Sequence, residues 1–363
     1  MYIGSTSERG LHQTVFDVVG RAVNEVLAGR ASAVDVTLTP DGGVRVADDG
    51  PGVPVEAAGD PGGPGLETLL TQMHPGEEPG GRRAVAMSLF GVGPCVTNAL
   101  SSRLTAEVRR EGVHWVQEYA RGVALTSPTS AGPATRSGTI IAFWPDTDIF
   151  ETTECSFDVL AERFRELAFL NRGLDISLTD ERTPGASRSV RCRFPGGARD
   201  FVAFLDEQAG APVHPDVIGF EREDPRLAGT VEVALRWRSS HDERLKSYAN
   251  SEPTPYGGTH TAGFREGVAA AVNAHVRERR LLTETAPAPD LNVDQISDGL
   301  TAVVSVKLDR PEFSGSKRGV LGGAAVRASV AEAVREYLAT WLERHPEQAA
   351  AIIGRITQDA GQD

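Results

Sequence analysis

The most constraining stretch of this sequence is an amphipathic segment followed by two short apolar segments and a glycine-rich turn. Apolar residues recur at helical spacing from Leu11 to Ala28, which predicts a helix with one buried face. Segments 33–38 and 44–47 flank a Pro-Asp-Gly-Gly turn, which predicts a β-hairpin. The second segment runs directly into Asp-Asp-Gly-Pro-Gly-Val-Pro at residues 48–54. A helix followed by a hairpin predicts a domain that mixes helices with sheet.

The turn at 48–54 has residue types that suit recognition of a purine. A carboxylate such as that of Asp48 accepts a hydrogen bond from an exocyclic amine. The glycines that follow let the backbone approach a flat ring, because they lack a Cβ atom. The same residue types are also the usual formers of a tight turn. The pattern by itself therefore leaves a purine site and a plain turn as alternatives.

Three further motifs each have a functional and a structural interpretation. Residues 91–93, Gly-Val-Gly, precede a predicted helix; they would present backbone N–H groups to phosphate or serve as a cap or packing position. Residues 137–139, Ser-Gly-Thr, enter a predicted strand and belong either to a site or to a plain hairpin. Lys317-Arg318 lies in a predicted loop, where the two cations would contact a terminal phosphate or simply be solvated.

Composition narrows the class of protein. The chain has 363 residues, enough for two domains, and its net charge of −13 predicts weak or absent DNA binding, which draws on clustered Lys and Arg. Cys95, Cys155 and Cys192 lack the spacing of zinc ligands and are expected to be reduced thiols of a cytoplasmic protein. No apolar run reaches the ~18 residues of a membrane span, and the N-terminus lacks a secretory pattern.

The rest of the chain is predicted to alternate between strands and helices. We expect strands at 104–109, 114–119, 139–143, 176–178, 189–193, 230–237 and 301–307, and helices at 66–73, 93–100, 157–169, 199–208, 261–282 and 326–344. Residues 55–83 are rich in glycine and proline and are expected to form a long loop. Residues 195–225 are interpreted as a connection that carries one short helix. The predicted domains are therefore 1–195 and 196–363.

Longer motifs carry a resemblance to a known family. They include VFDVV at 15–19, NEVLAG at 24–29, DDGPGVP at 48–54, NALS at 98–101, RELAFLN at 165–171, GGTHTAGFR at 257–265, GLTAVVSVK at 299–307 and PEFSG at 311–315. In this order they resemble the B subunits of DNA gyrase and topoisomerase IV across essentially the whole chain. The resemblance implies an α+β fold, with a GHKL (Bergerat-type) ATP-binding domain at 1–195 and a ribosomal-S5-like transducer domain at 196–363.

The resemblance also implies roles for individual residues. Asp48 would hold the adenine amine with support from Thr139, and residues 91–93 would wrap the phosphates. Lys317-Arg318 stands where the family has a Gln-Thr-Lys loop, and Arg318 would keep the lysine's charge near the γ-phosphate. The implied nucleotide-binding residues are Asn24, Asp48, Gly52, Val53, Pro54, Gly91, Val92, Gly93, Thr139, Lys317 and Arg318.

Several positions depart from the family pattern, chiefly at the catalytic end of the implied site. The general-base glutamate of the family is Asp17 here, one methylene shorter. The Mg²⁺-binding asparagine is Arg21, whose guanidinium cannot ligate a metal. Arg21 would pair instead with a phosphate or with Asp17 one turn away. The other site-altering substitutions are Pro51, Met87, Ser88 and Phe90.

These departures predict a gyrase B-like module that binds ATP without a Mg²⁺ site and hydrolyses it very slowly or not at all. It would act as a regulator or partner of gyrase subunits or of another topoisomerase component. The alternative is a working ATPase of the type IIA topoisomerases that acts with a separate cleavage subunit. The sequence contains no TOPRIM domain and little of the family's N-terminal exchange arm. DNA cleavage is therefore not expected from this chain, and its dimerisation is not predicted.

Overall fold

The computed structural model divides the chain into two compact units, Met1–Pro195 and Gly196–Asp363. The residues that the structure describes are 3–55, 65–73, 93–207, 210–279, 290–314 and 319–358. Both units combine helices with sheet, so the predicted α+β class is confirmed. The division falls at the predicted domain boundary.

The first unit is built on one large sheet. Its described helices are α1 (Glu8–Leu27), α2 (Leu66–Thr71), α3 (Cys95–Ala99) and α4 (Phe157–Leu170). Its described strands are β1 (Val34–Leu38), β2 (Val44–Asp48), β3 (Ser101–Arg110), β4 (Val113–Ala120), β5 (Val123–Ala124), β6 (Thr129–Pro133), β7 (Gly138–Pro145), β8 (Ile176–Asp180) and β9 (Arg188–Cys192). The strand order is β5-β4-β3-β7-β2-β1-β8-β9, with β6 paired to β4. Among these described strands, neighbours are antiparallel except for β1 and β8, which are parallel.

Helix α1 packs on this sheet through its apolar stripe. Leu11, Val15, Val19 and Val23 are buried in the same core as the apolar residues of β1 and β2. Because burial of each such side chain contributes about 1.5–3 kcal/mol, the stripe fixes how the helix lies on the strands. The polar residues of the C-terminal half of α1 are thereby brought to the end of β2.

The second unit has its own sheet and core. Its described helices are α5 (Ala198–Asp206), α6 (Thr259–Arg279), α7 (Val293–Ser297), α8 (Ala324–Arg344) and α9 (Pro346–Gln358). Its described strands are β10 (Ile218–Asp224), β11 (Gly229–Trp237), β12 (Arg244–Ala249), β13 (Glu252–Pro253), β14 (Leu300–Leu308), β15 (Phe313–Ser314) and β16 (Val320–Leu321). The main sheet runs β10-β11-β14-β12-β13, and β15 and β16 form a separate pair. Helices α6 and α8 pack so closely that a Cβ on Gly267 would lie 2.6 Å from the carbonyl oxygen of Ala331.

Most predicted elements are confirmed within a few residues, including the hairpin of β1 and β2 and the long helices α1, α4, α6 and α8. The interpretation of 195–225 as a connection with one helix is wrong, because residues 218–224 form strand β10 at the edge of the second sheet. Helix α9 is an element that the sequence patterns did not predict. The predicted loop at 55–83 lies largely outside the described residues, apart from α2 within it.

Candidate functional site

The end of strand β2 carries a buried carboxylate that faces helix α1. Asp48 is the last residue of β2 and lies opposite Thr139 of β7, and its side chain is only 2% exposed. Its Oδ1 accepts a hydrogen bond from the backbone N–H of Gly50 at 3.0 Å. Its Oδ2 forms an ion pair with the guanidinium of Arg21 from α1. Both carboxylate oxygens therefore have a partner within the chain.

The backbone around Asp48 depends on glycine at two positions. Gly138 has φ +151°, and a Cβ there would run into the carbonyl oxygen of Asp48. Gly52 has φ +80°, and its Cβ would lie 2.7 Å from the carbonyl oxygen of Arg109. Next to it, the Val53 N–H donates to the Oγ1 of Thr139 at 3.1 Å. These contacts fold the turn tightly against β7 and the end of β3, so that its backbone lies close to the carboxylate.

The neighbouring carboxylate, Asp49, has a different function. Its Oδ1 accepts from the N–H groups of Ser32 at 2.7 Å and Ala33 at 3.1 Å, and its Oδ2 accepts from the Ser32 hydroxyl. Burial opposes ionisation of Asp49, but these hydrogen bonds hold its pKa below the ordinary value. Asp49 thus secures the chain that leads into β1, whereas Asp48 is presented to α1.

Charge around Arg21 is shared between two carboxylates. Burial raises the pKa of Asp48, and the positive charge of Arg21 only partly opposes this. Burial also acts on Glu25, but hydrogen bonds from Arg30, at 2.7 and 3.1 Å, together with the charge of Arg21, lower its pKa. The Arg21 side chain is 14% exposed. It therefore lies between the end of β2 and the last turn of α1 as a half-buried cation.

The carboxylate of Asp17 is held within α1. The Gln13 side-chain amide donates to Asp17 Oδ1 at 2.9 Å, and both residues are buried. Burial, and then the charge of Asp17, raise the pKa of the Cys95 thiol at the start of α3. Helix α3 is joined to α1 by the hydroxyl of Thr97, which donates to the carbonyl of Thr14 at 3.0 Å. Asp17 is thus enclosed by α1 and α3.

Comparisons with known proteins identify the family. A family model described as DNA gyrase B matches residues 197–363. The chain is 44% identical to the DNA gyrase B protein of Streptomyces coelicolor over 376 residues, covering 99% of this chain and 54% of that protein. It is also similar to the crystal structure of the 43K ATPase domain of Thermus thermophilus gyrase B in complex with an aminocoumarin, with 30% identity, a TM-score of 0.83, and coverage of 99% of this chain and 92% of that one.

The chain belongs to the DNA gyrase B family. The GHKL fold implied by the sequence resemblance is confirmed by the same comparison. A third similarity is to the topoisomerase IV ATP-binding domain of Francisella tularensis in complex with a small-molecule inhibitor, with 27% identity, a TM-score of 0.77, and coverage of 98% and 92%. This gyrase B-family chain spans about half the length of the curated relatives that it matches.

The predicted site residues of this gyrase B-family chain fall into two groups. The first group lies on α1, at the end of β2, in the turn after it, at the start of β7 and just before α3. Its members are Asp17, Arg21 and Asn24 on α1, Asp48 on β2, Pro51, Gly52, Val53 and Pro54 in the turn, Thr139 on β7, and Gly93 before α3. The predicted residues Met87, Ser88, Phe90, Gly91, Val92, Lys317 and Arg318 lie outside the described residues. Of the first group, Arg21 differs most from expectation, because it pairs with Asp48 and not with Asp17, the partner within the chain that helical spacing suggested.

Three residues of the site were missed by sequence reasoning. Gln13 lies one helical turn before Asp17, so the i, i+4 spacing was a usable signal. Glu25 stood out only within a longer family motif, and Gly138 only within the Ser-Gly-Thr segment at 137–139. Within the described ranges, no group of three or more His, Cys, Asp or Glu side chains is placed to hold a metal ion. No helix of those ranges is long and apolar enough to cross a membrane.

Proposed function

We propose that the first unit is an ATP-binding module of the gyrase B type whose catalytic end is altered, so that it binds nucleotide but hydrolyses it very slowly or not at all. The second unit would be the transducer. The whole chain would act in the cytoplasm as a regulator or partner of gyrase subunits or of another topoisomerase component.

The ion pair between Arg21 and Asp48 carries this proposal. In the family pattern the position of Arg21 holds an asparagine that coordinates Mg²⁺, whereas here it holds a fixed cation. A guanidinium has no lone pair to offer a metal. Like charges also repel, so the half-buried guanidinium disfavours a divalent cation nearby.

The environment of Asp17 supports the same conclusion. A general base must lie within hydrogen-bond reach of the water that it activates, and Asp17 is a methylene shorter than the family's glutamate. One of its oxygens already accepts from Gln13. A misplacement of about 1 Å costs on the order of 100-fold in rate, so water activation is expected to be weak.

A second candidate function, a working ATPase of the type IIA topoisomerases, is favoured by the base end of the site. Asp48, the Thr139 contact to Val53 and the tight glycine turn are all in place. The two functions share the base site and differ only in turnover.

Steady-state ATP hydrolysis with and without Mg²⁺ distinguishes them. We expect hydrolysis at background in both conditions, together with calorimetric binding of a non-hydrolysable ATP analogue that Asp48→Ala abolishes or weakens at least ~10-fold, since a hydrogen bond to a charged group is lost. Mg²⁺-dependent turnover at the level of gyrase B fragments would establish the second function instead. Unchanged affinity in folded Asp48→Ala would contradict the base site common to both.

A further inference from the structure

Arg21 pairs with Asp48, the carboxylate that the proposed function assigns to the adenine base of the nucleotide. The guanidinium reaches from α1 to Asp48 Oδ2, while Gly50 holds Oδ1. The Asp48 side chain is almost fully buried and that of Arg21 is 14% exposed, so there is little room for a third group at Oδ2. An amine that approaches this oxygen must displace the guanidinium.

The displaced guanidinium needs a new anion. It stays protonated under all ordinary conditions, and leaving a half-buried charge without a partner is costly. Glu25, the carboxylate on the next turn of α1, already accepts two hydrogen bonds from Arg30. Asp17, one turn earlier, is buried and bonded to Gln13. Neither carboxylate is well placed to take over from Asp48.

A neutral nucleoside and an anionic nucleotide differ in whether they supply a new anion to the displaced guanidinium of Arg21. The nucleoside exchanges an ion pair at Asp48 for a hydrogen bond from a neutral amine. It leaves Arg21 with the charge of Glu25, a carboxylate that already pairs with Arg30. The nucleotide brings phosphate oxygens, for which the planar guanidinium is a strong and bidentate partner. Charge is then balanced without a divalent metal.

We propose that Arg21 is the specificity-determining residue of this site and makes it selective for anionic adenine nucleotides over neutral nucleosides when no metal is present. On binding, the base amine replaces the guanidinium at Asp48, and the guanidinium moves to a phosphate oxygen of the same ligand. This inference rests on the proposed function, because it takes Asp48 as the base site.

The test is calorimetric titration of the full chain with adenosine, AMP and ADP in the presence of EDTA. For the unmodified chain we expect ADP to bind at least ~10-fold more tightly than adenosine, the scale of one charge-assisted hydrogen bond. In Arg21→Gln, adenosine affinity should rise, because the internal competitor is gone, and the preference for ADP should shrink at least ~10-fold. Arg21→Lys retains the charge and should retain a preference for ADP.

Arg191→Gln is the matched control, since it removes an arginine of the same unit that pairs with Asp175 and not with Asp48. It should leave the preference for ADP unchanged. Equal binding of adenosine and ADP by the unmodified chain, or a full preference for ADP in Arg21→Gln, would overturn the inference while leaving the proposed function standing. Absence of binding by every adenine compound in both the unmodified chain and folded Arg21→Gln would overturn the proposed function itself.

Discussion

The two units each bury an arginine against an aspartate, but they do so in different ways. In the second unit Arg238 is completely buried. It donates to the Ser240 hydroxyl at 2.6 Å and to the carbonyl of Asp242 at 2.8 Å, and it lies 3.5 Å from Asp206. In the first unit Arg21 is partly exposed and reaches across from a helix to one carboxylate at a strand end.

The difference separates a structural arginine from an exchangeable one. The partners of Arg238 include a hydroxyl and a backbone carbonyl from its own neighbourhood, so no incoming ligand reproduces the full set. Arg21 is bonded to a carboxylate that the family pattern reserves for a ligand. Burial of a charge with several fixed partners therefore indicates a folding role here, whereas one ion pair with a carboxylate at a strand end is what the proposed function requires of Arg21.

The largest expected effect is on Arg238. Arg238→Ala removes the hydrogen bonds to Ser240 and to the carbonyl of Asp242 and empties the space of a fully buried side chain, although Asp206 keeps Arg236 as a partner at 2.5 Å. The lost hydrogen bonds and packing should cost about 3–5 kcal/mol. Urea unfolding of the full chain should show this loss of free energy. Arg265→Ala removes an exposed arginine paired with Glu243 at 2.8 Å and should cost less than about 1 kcal/mol. Equal losses of unfolding free energy in the two variants would show that Arg238 has no special folding role.

A smaller effect is expected from the pair of the first unit. Arg21→Gln, Asp48→Asn and the double variant form a cycle whose coupling energy should be about 1–3 kcal/mol, the range for a charged hydrogen bond. Unfolding free energies at neutral pH give this value directly. A coupling near zero would mean that the two side chains do not interact in solution.

The smallest effect is a pH trend at the same pair. The pKa of Asp48 is raised above the ordinary 3.8 by burial, with Arg21 opposing. Between pH 3.8 and the folded pKa, the folded chain therefore holds a proton that the unfolded chain has released. Stability from protonated Asp48 is therefore present below pH 3.8 and is lost as pH rises through the folded pKa. Relative to Asp48→Asn, the unmodified chain should lose stability between pH 4 and pH 7 in urea titrations. An opposite trend would show that pairing with Arg21 outweighs burial.

How far the sequence predicts this site depends on which contacts are local. Helical periodicity placed Asp17 and Arg21 on α1, and the hairpin pattern placed Asp48 at a strand end; these positions follow from spacing alone. The Arg21–Asp48 pair did not follow, because it depends on how the helix crosses the sheet. Helical spacing suggested the local alternative, Asp17, and the structure shows that the apolar stripe turns Arg21 toward β2.

The misses in the second unit have similar physical reasons. Pro346 is typical of the end of a helix, yet proline is also favoured at the first position of one, and here it begins α9. Residues 218–224 form β10 although four of them are charged, because an edge strand with one face exposed tolerates charge. Both signals were ambiguous until the neighbouring elements were known.

The strand order also determines when contacts of the first unit can form during translation. Strand β1 pairs with β8, and Ser177 donates to Asp35 across 142 positions of chain. Asp48 likewise lies beside Thr139. At the usual pace of translation, the ribosome adds Thr139 on the order of ten seconds after Asp48. During that interval the nascent chain carries α1 and the first hairpin without the strands that enclose them, and its carboxylate and guanidinium remain in water until the sheet closes around them.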